Sequence, residues 1–316
     1  MGTPAFAASI LAHVSAWEPG RVTAVYTQPD RKANRGHKLQ ASPVKAWALE
    51  RGIPVFQPER LKNDAETERL RALKPDFLLV AAYGCIIPKA ILDIPAYPPL
   101  NVHGSLLPAY RGAAPLQRAI MENYEDRAVT GISIMEMVEA LDAGPVYKTT
   151  TIALADLTCD ELFLRMAEEG GPLLISVLDD FIRGAAIATP QDARYASYAA
   201  KIEKKDAWIA WDAPYAAVHA HIRALTSKPG AKTLLCLGST KLPVTIGPGT
   251  RGTPCTQKPG TVAREGCALR IACKDFWYEL RQIKPQGKAF MDCRDFANGL
   301  HTVSDSVIGF AGCDDA

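Results

Sequence analysis

Asn101-Val-His103 is followed at once by Gly-Ser105-Leu-Leu-Pro108-Ala-Tyr-Arg111-Gly112. The first three residues read as the end of an extended strand, in which alternate side chains share a face, so Asn101 and His103 project together. Asn101 is a neutral group that can always donate a hydrogen bond, and histidine is the side-chain type that ordinarily titrates near neutrality. Such a pair can stabilise a developing negative charge and handle a proton. A strand-end histidine also serves as a satisfied structural residue, and on the residues alone both readings stand. A Gly/Pro-rich loop leaving the C-terminal end of a strand is nevertheless where open α/β sheets build their sites. Asp142, in Leu141-Asp-Ala-Gly144-Pro145, is by itself a turn residue.

Other chemistries find little support. The chain has eight cysteines in 316 residues and no CxxC pair, which argues against a disulfide framework and against a zinc site, so no metal is expected. Cys267 and Cys273 alternate with apolar residues and are expected to point into a β core. No GxGxxG follows a strand and no Walker sequence occurs, which sets aside a nicotinamide oxidoreductase. Arg31-Lys32-Ala-Asn-Arg35-Gly-His-Lys38 forms a basic run with no acid between Asp30 and Glu50. A run of this kind is ordinarily a solvated face.

The elements that must position these residues alternate. Helical spacing runs over 4–17, 43–51, 64–73, 113–122 and 158–182, with strand-like stretches at 22–27, 53–56, 76–82, 100–103, 130–137 and 146–152. Near-continuous apolar strands between helices predict an α/β, Rossmann-like and mostly parallel sheet. Near Pro190 the character changes. Residues 191–207 are polar, carry Lys201, Lys204 and Lys205, and suit a basic linker between domains 1–190 and 208–316. Beyond a helix at 214–226, short strands broken by Gly and Pro (233–237, 241–246, 260–264, 268–273, 276–283) fit a small OB-like barrel, with a frayed tail from Asp305.

At 48% hydrophobic and 22% charged, the composition is that of a soluble globular protein. The longest apolar run is about half a membrane span. The first basic residue, Arg21, comes too late for the basic flank of a signal peptide, so a cytoplasmic location is expected. The formal net charge of +2 is divided unevenly. Residues 1–189 hold 19 Lys/Arg against 22 Asp/Glu, and residues 190–316 hold 17 against 12, a hint of an anionic partner for the second part.

Asn101-Val-His103-Gly-Ser-Leu-Leu-Pro108, with Arg111-Gly112 and Pro115, resembles the signature of the folate-dependent formyltransferases, and Leu141-Asp142-Ala-Gly144-Pro145 resembles their acidic loop. Thr27-Gln-Pro-Asp30, Arg35-Gly36, Lys38-Leu39 and Ser42-Pro43-Val44-Lys45 narrow the likeness to the branch that acts on initiator methionyl-tRNA, as does Lys288-Ala-Phe after Pro285-Gln-Gly. The resemblance covers nearly the whole chain. It implies transfer of the formyl group of 10-formyltetrahydrofolate to the α-amine of methionine on that tRNA, by a protein expected to be a monomer. Asn101, His103 and Asp142 would be the catalytic trio: donors for the oxyanion, a proton carrier, and a carboxylate that orients and supports the charged imidazole. Ser105, Leu106, Leu107 and Pro108 would line the folate site, with Cys85 beside them in a packing role. Arg31, Lys32, Arg35 and Lys38 would meet the acceptor end of the tRNA, and Lys201, Lys204 and Lys205 would continue the track.

The resemblance also sets alternatives and departures. Hydrolysis of formylfolate, formylation of an amino-sugar nucleotide, and a catalytically silent RNA-binding module use the same scaffold; the basic loop and barrel argue against the first two, and the trio against the third. Ala140 stands where the family usually has a glycine before Leu-Asp, and Val138 where it has an aspartate. If that glycine takes a positive φ, Ala140 would strain the Asp142 loop. A short apolar strand precedes the Gly-Thr-Pro turn in the family, whereas this sequence opens on Met1-Gly-Thr-Pro4. The expectation is a gap in the sheet and a physiological start a few residues earlier.

Overall fold

The computed structural model describes residues 1–33, 38–124, 127–226, 228–237, 240–265, 268–299 and 308–311. Arg35 and Cys267 lie outside these residues, as do the side chains of Lys32 and Lys38 and residues 305–307 and 312–316 of the tail. The chain forms two compact units. One comprises 1–115, 130–153 and 163–199; the other comprises 116–129, 154–162 and 200–316.

In the first unit the helices start where the sequence supplies caps. Ser42 accepts from the Lys45 N–H with Pro43 at the first helical position, and Asn63 accepts from the Glu66 N–H. These residues begin helices Pro43–Leu49 and Asp64–Leu73. The strands between them are shorter than their apolar runs. Val25–Tyr26 pairs in parallel with Val55–Phe56, and Leu79–Val80 in parallel with Leu100–His103. The second sheet continues to Val129–Glu136 and then Val146–Ala153, where the expected α/β, Rossmann-like sheet takes on an antiparallel strand. Val129–Glu136 runs antiparallel to Leu100–His103, with Asn101 opposite Met135 and His103 opposite Ser133. An apolar run buried on both faces looks the same in either direction, so composition could not reveal this.

The two parallel pairs are not joined. A cavity of about 540 Å³ lies between them, lined by Val22–Tyr26 on one side, Phe77–Ala81 on the other, and Ile10, Val14 and Leu178 from the helices. Met1 and Gly2 fill one end. Gly2 donates to the Tyr26 carbonyl at 3.0 Å and bridges Ala81 in parallel, while the Met1 N–H donates to the Leu79 carbonyl at 2.5 Å.

The second unit carries two antiparallel sheets. One runs in the order Met291–Asp292, Gln282–Pro285, Thr240–Ile246, Ala231–Leu237 and Ile308–Ala311. The other runs Thr250–Pro254, Phe276–Glu279, Ala268–Ala272 and Val262–Glu265. Ile308–Ala311 pairs with Ala231–Leu237, so this part of the tail, expected to fray, is a strand. Cys273 is fully buried. The core centres on Tyr278, whose hydroxyl accepts from the Gly249 N–H at 2.7 Å and lies 3.2 Å from His219 Nδ1. Its ring packs against Trp211 and Tyr215. His219 Nε2 donates to Asp156 at 2.8 Å, which leaves Nδ1 as an acceptor and the ring neutral.

Desolvation holds His219 and its neighbour His221 below the ordinary value of 6.5. The unfolded chain therefore binds protons that the folded chain refuses. This contribution to stability is complete above pH 6.5 and is lost as the pH falls toward the depressed values. The melting temperature should drop between pH 7.5 and 5.5, and His221→Gln should reduce that drop. An equal drop in the variant would remove His221 from the account.

Candidate active site

Leu100–His103 delivers two side chains. Leu100 and Val102 face the core, while Asn101 is half-buried and His103 is 5% exposed. His103 Nε2 lies 3.0 Å from the Tyr110 carbonyl. A carbonyl only accepts, so Nε2 carries the proton and Nδ1 presents its lone pair when the ring is neutral. Nδ1 is 3.8 Å from Asp142 Oδ2, too far for a hydrogen bond and close enough for an ion pair once the ring is charged. Asp142 Oδ2 instead accepts from the Gly112 N–H at 2.8 Å. The Asn101 carboxamide has no hydrogen-bond partner among the described residues, so its donors are available to a ligand.

Unusual backbone surrounds the pair. Tyr110 and Asp142 both sit at positive φ, +60° and +47°. Neither is glycine, and such positions cost of order 1 kcal/mol or more each. The expected strain at Ala140 is not found; the left-handed residue is Asp142 itself. Held this way, Tyr110 aims its carbonyl at His103, and Asp142 brings its carboxylate to Gly112.

The loop after the strand is pinned from within the sheet. Ser105 is fully buried and donates to the Ala109 carbonyl at 2.6 Å. Ser133 donates to the Ser105 carbonyl at 2.7 Å and accepts from the Leu107 N–H at 3.0 Å. The Leu107–Pro108 peptide is cis. Leu106, Leu107 and Pro108 stay half-buried, and on loops leading from the sheet Ile86 (79%) and Leu141 (62%) are exposed.

Three contributors were not found by sequence reasoning. Ser133 is hidden in an apolar strand, and Tyr110 acts through its backbone. Gln191, in a stretch read as linker, has no sequence signal. Its carboxamide donates to the carbonyls of Asp142 (2.9 Å) and Gly144 (2.7 Å) and accepts from Arg111 Nε and Nη2 at 3.0 and 2.7 Å. Beyond it, Tyr198–Ala199 pairs in parallel with Arg111–Gly112.

The basic residues are on other elements. Arg31–Ala33 and Lys38–Gln40 form an antiparallel hairpin, with Arg31 exposed and donating to Gln28 at 3.4 Å. In the second unit Lys201, Lys204 and Lys205 are exposed, and Lys205 pairs with Glu203 at 3.1 Å. Among the described residues no group of three or more His, Cys, Asp or Glu is placed to hold a metal, and no helix is long and apolar enough to cross a membrane.

Residues 1–178 match the family described as "Formyl transferase", and residues 201–301 match "Formyl transferase, C-terminal domain". The methionyl-tRNA formyltransferase of Desulfovibrio desulfuricans is 46% identical over 319 residues, covering 98% of this chain and 95% of that protein. The enzyme of the same name from Nitratidesulfovibrio vulgaris (strain DP4) is 43% identical, covering 100% and 97%. Among solved structures, the N-formyltransferase of Helicobacter canadensis, in complex with folinic acid and dTDP-3-aminofucose, is similar with a TM-score of 0.62 at 16% identity, over 90% of this chain and 97% of that one. HypX of Aquifex aeolicus, in complex with tetrahydrofolic acid, gives 0.59 at 21% identity. That match covers 81% of this chain and 44% of HypX. At these identities the two structures speak to the fold alone.

Proposed function

The chain belongs to the formyl transferase family, and on that premise we propose that it transfers the formyl group of 10-formyltetrahydrofolate to the α-amine of methionine on initiator tRNA, for translation initiation. The observation that carries this reading is the end-to-end match, in both domains, to relatives named methionyl-tRNA formyltransferase. Residues 1–190 carry the catalytic trio, 191–207 connect while also bonding back to the first unit through Gln191 and Tyr198–Ala199, and 208–316 bind the tRNA.

The folate substrate supplies an electrophilic formyl carbon. Attack by the amine puts negative charge on the formyl oxygen, which the unpartnered carboxamide of Asn101 is suited to receive. His103 Nδ1 accepts the proton that the amine must shed, while the Tyr110 carbonyl keeps the ring from turning. Asp142, 3.8 Å away, then stabilises the charged imidazole. His103 returns the proton to N10 of the folate as the tetrahedral centre collapses and the C–N10 bond breaks, releasing tetrahydrofolate. Ser105, Leu106, Leu107 and Pro108 line the folate site. Arg31, Lys32, Arg35, Lys38, Lys201, Lys204 and Lys205 contact tRNA phosphates.

The direct test incubates the protein with 10-formyltetrahydrofolate carrying a labelled formyl group, with and without methionyl-tRNA. Label should appear on the tRNA. Release as formate without tRNA would overturn the reading in favour of a hydrolase. The phosphate contacts predict a second result. Arg35→Ala with Lys38→Ala should raise KM for methionyl-tRNA and flatten its dependence on salt, because each lost cation lowers the number of counterions released. Unchanged salt dependence would make the run a solvated face.

A further inference from the structure

We propose that Gln191 is a positioning residue for the reaction, setting the place of the Asp142 carboxylate from 49 residues away; this rests on the role given to Asp142 above. All four of its hydrogen bonds among the described residues reach the two loops that meet at Asp142. On one side its amide N–H groups hold the carbonyls of Asp142 and Gly144, so both ends of Asp-Ala-Gly are fixed. On the other its carbonyl oxygen takes two N–H groups of Arg111, whose side chain is buried. Arg111 precedes Gly112, the residue whose N–H holds the Asp142 carboxylate.

The arrangement is a closed circuit: Gln191 to the Asp142 backbone, Asp142 carboxylate to Gly112, Arg111 back to Gln191. A carboxamide is the one neutral side-chain group with two donors and an acceptor in fixed opposition, and every one is used here. Asp142 needs such support because its backbone is left-handed and no other described hydrogen bond reaches its carbonyl. Without the clamp the loop loses the contacts that hold the carboxylate 3.8 Å from His103. Misplacement of a reacting group by about 1 Å costs on the order of 10²-fold in rate.

The test is a double-mutant cycle on the full chain, measuring single-turnover formylation of methionyl-tRNA. Gln191→Ala should lower kcat about 10- to 100-fold and change KM for the folate less than about 3-fold. On an Asp142→Ala background the same change should cost less than about 2-fold, since the group it positions is gone. A merely structural role would instead carry the full penalty onto both backgrounds. Gln191→Glu retains an acceptor for Arg111 and faces both carbonyls with oxygen; it should lower kcat at least as much as alanine while keeping the fold. Turnover like the unmodified protein in Gln191→Glu, or a Gln191→Ala penalty that persists in full without Asp142, would overturn the proposal. If Asp142→Ala itself runs at the unmodified rate, the reading of the site fails, and the proposal with it.

Discussion

Alanine at Asn101, His103 or Asp142 is expected to lower kcat for methionyl-tRNA formylation at least about 10²-fold, with folate affinity little changed. That is about 2.7 kcal/mol taken from the transition state at each position. The three losses have different physical origins. At Asn101 the variant removes donors that no described residue of the protein occupies, so the fold is spared and the effect is chemical. Asn101→Asp should be worse than alanine, since it sets a carboxylate against the negative charge it should relieve. At His103 the ring is buried and bonded to Tyr110, and alanine also opens a void. His103→Gln keeps most of the volume and separates packing from proton handling. At Asp142 alanine frees the Gly112 N–H as well as the charge. Near-normal turnover in any of the three removes that residue from the mechanism.

Gly144→Ala should damage stability and turnover together. A Cβ at Gly144 would stand 2.0 Å from the Glu136 carbonyl oxygen and 2.9 Å from its carbon, both backbone atoms that cannot rotate away. The neighbouring Glu136 N–H donates to the Pro145 carbonyl at 2.9 Å, so the methyl would wedge apart the start of the connection between the last two strands. Overpacking of this kind costs roughly 1–3 kcal/mol. Because the Gly144 carbonyl is also one of the two held by Gln191, kcat should fall beyond what the lost stability explains. Gly184→Ala is the comparison: its φ is +66° but nothing lies within 4 Å, so it should cost stability and leave kcat intact. Equal behaviour of the two variants would sink this account.

The sequence revealed the parts of the site that side-chain chemistry writes directly. Asn101 and His103 announce themselves by spacing on an apolar strand, and the helices by their caps and periodicity. What escaped depends on the backbone. The role of Tyr110 comes from a left-handed φ that tyrosine rarely adopts, and nothing in the side chain signals a carbonyl aimed at an imidazole. Ser133 sits inside Val129–Glu136, where its neighbours Ile132 and Ile134 are fully buried, and the apolar run masks its hydroxyl. Strand direction was hidden for a related reason, because burial on both faces leaves no mark of which way the chain runs. Gln191 was hidden by its company: a polar residue among polar residues reads as linker until its partners are located.

Chain order has a consequence for synthesis. A ribosome makes residues 1–190 first, and that stretch contains Asn101, His103 and Asp142. Residues 191–199, which clasp the Asp142 loop and add a strand beside Arg111–Gly112, follow only afterwards. The second unit is later still: Arg118 must wait for Asp206 at 2.8 Å, and Asp156 for His219 at 2.8 Å. At about 5–20 residues per second, the emerging chain spends several seconds with these groups exposed and unpaired. Contacts so distant in sequence form slowly after release as well. On the role proposed for Gln191, the nascent polypeptide is expected to reach full turnover only after its polar middle segment has left the ribosome, and it is in that interval that a chaperone would find the most surface to hold.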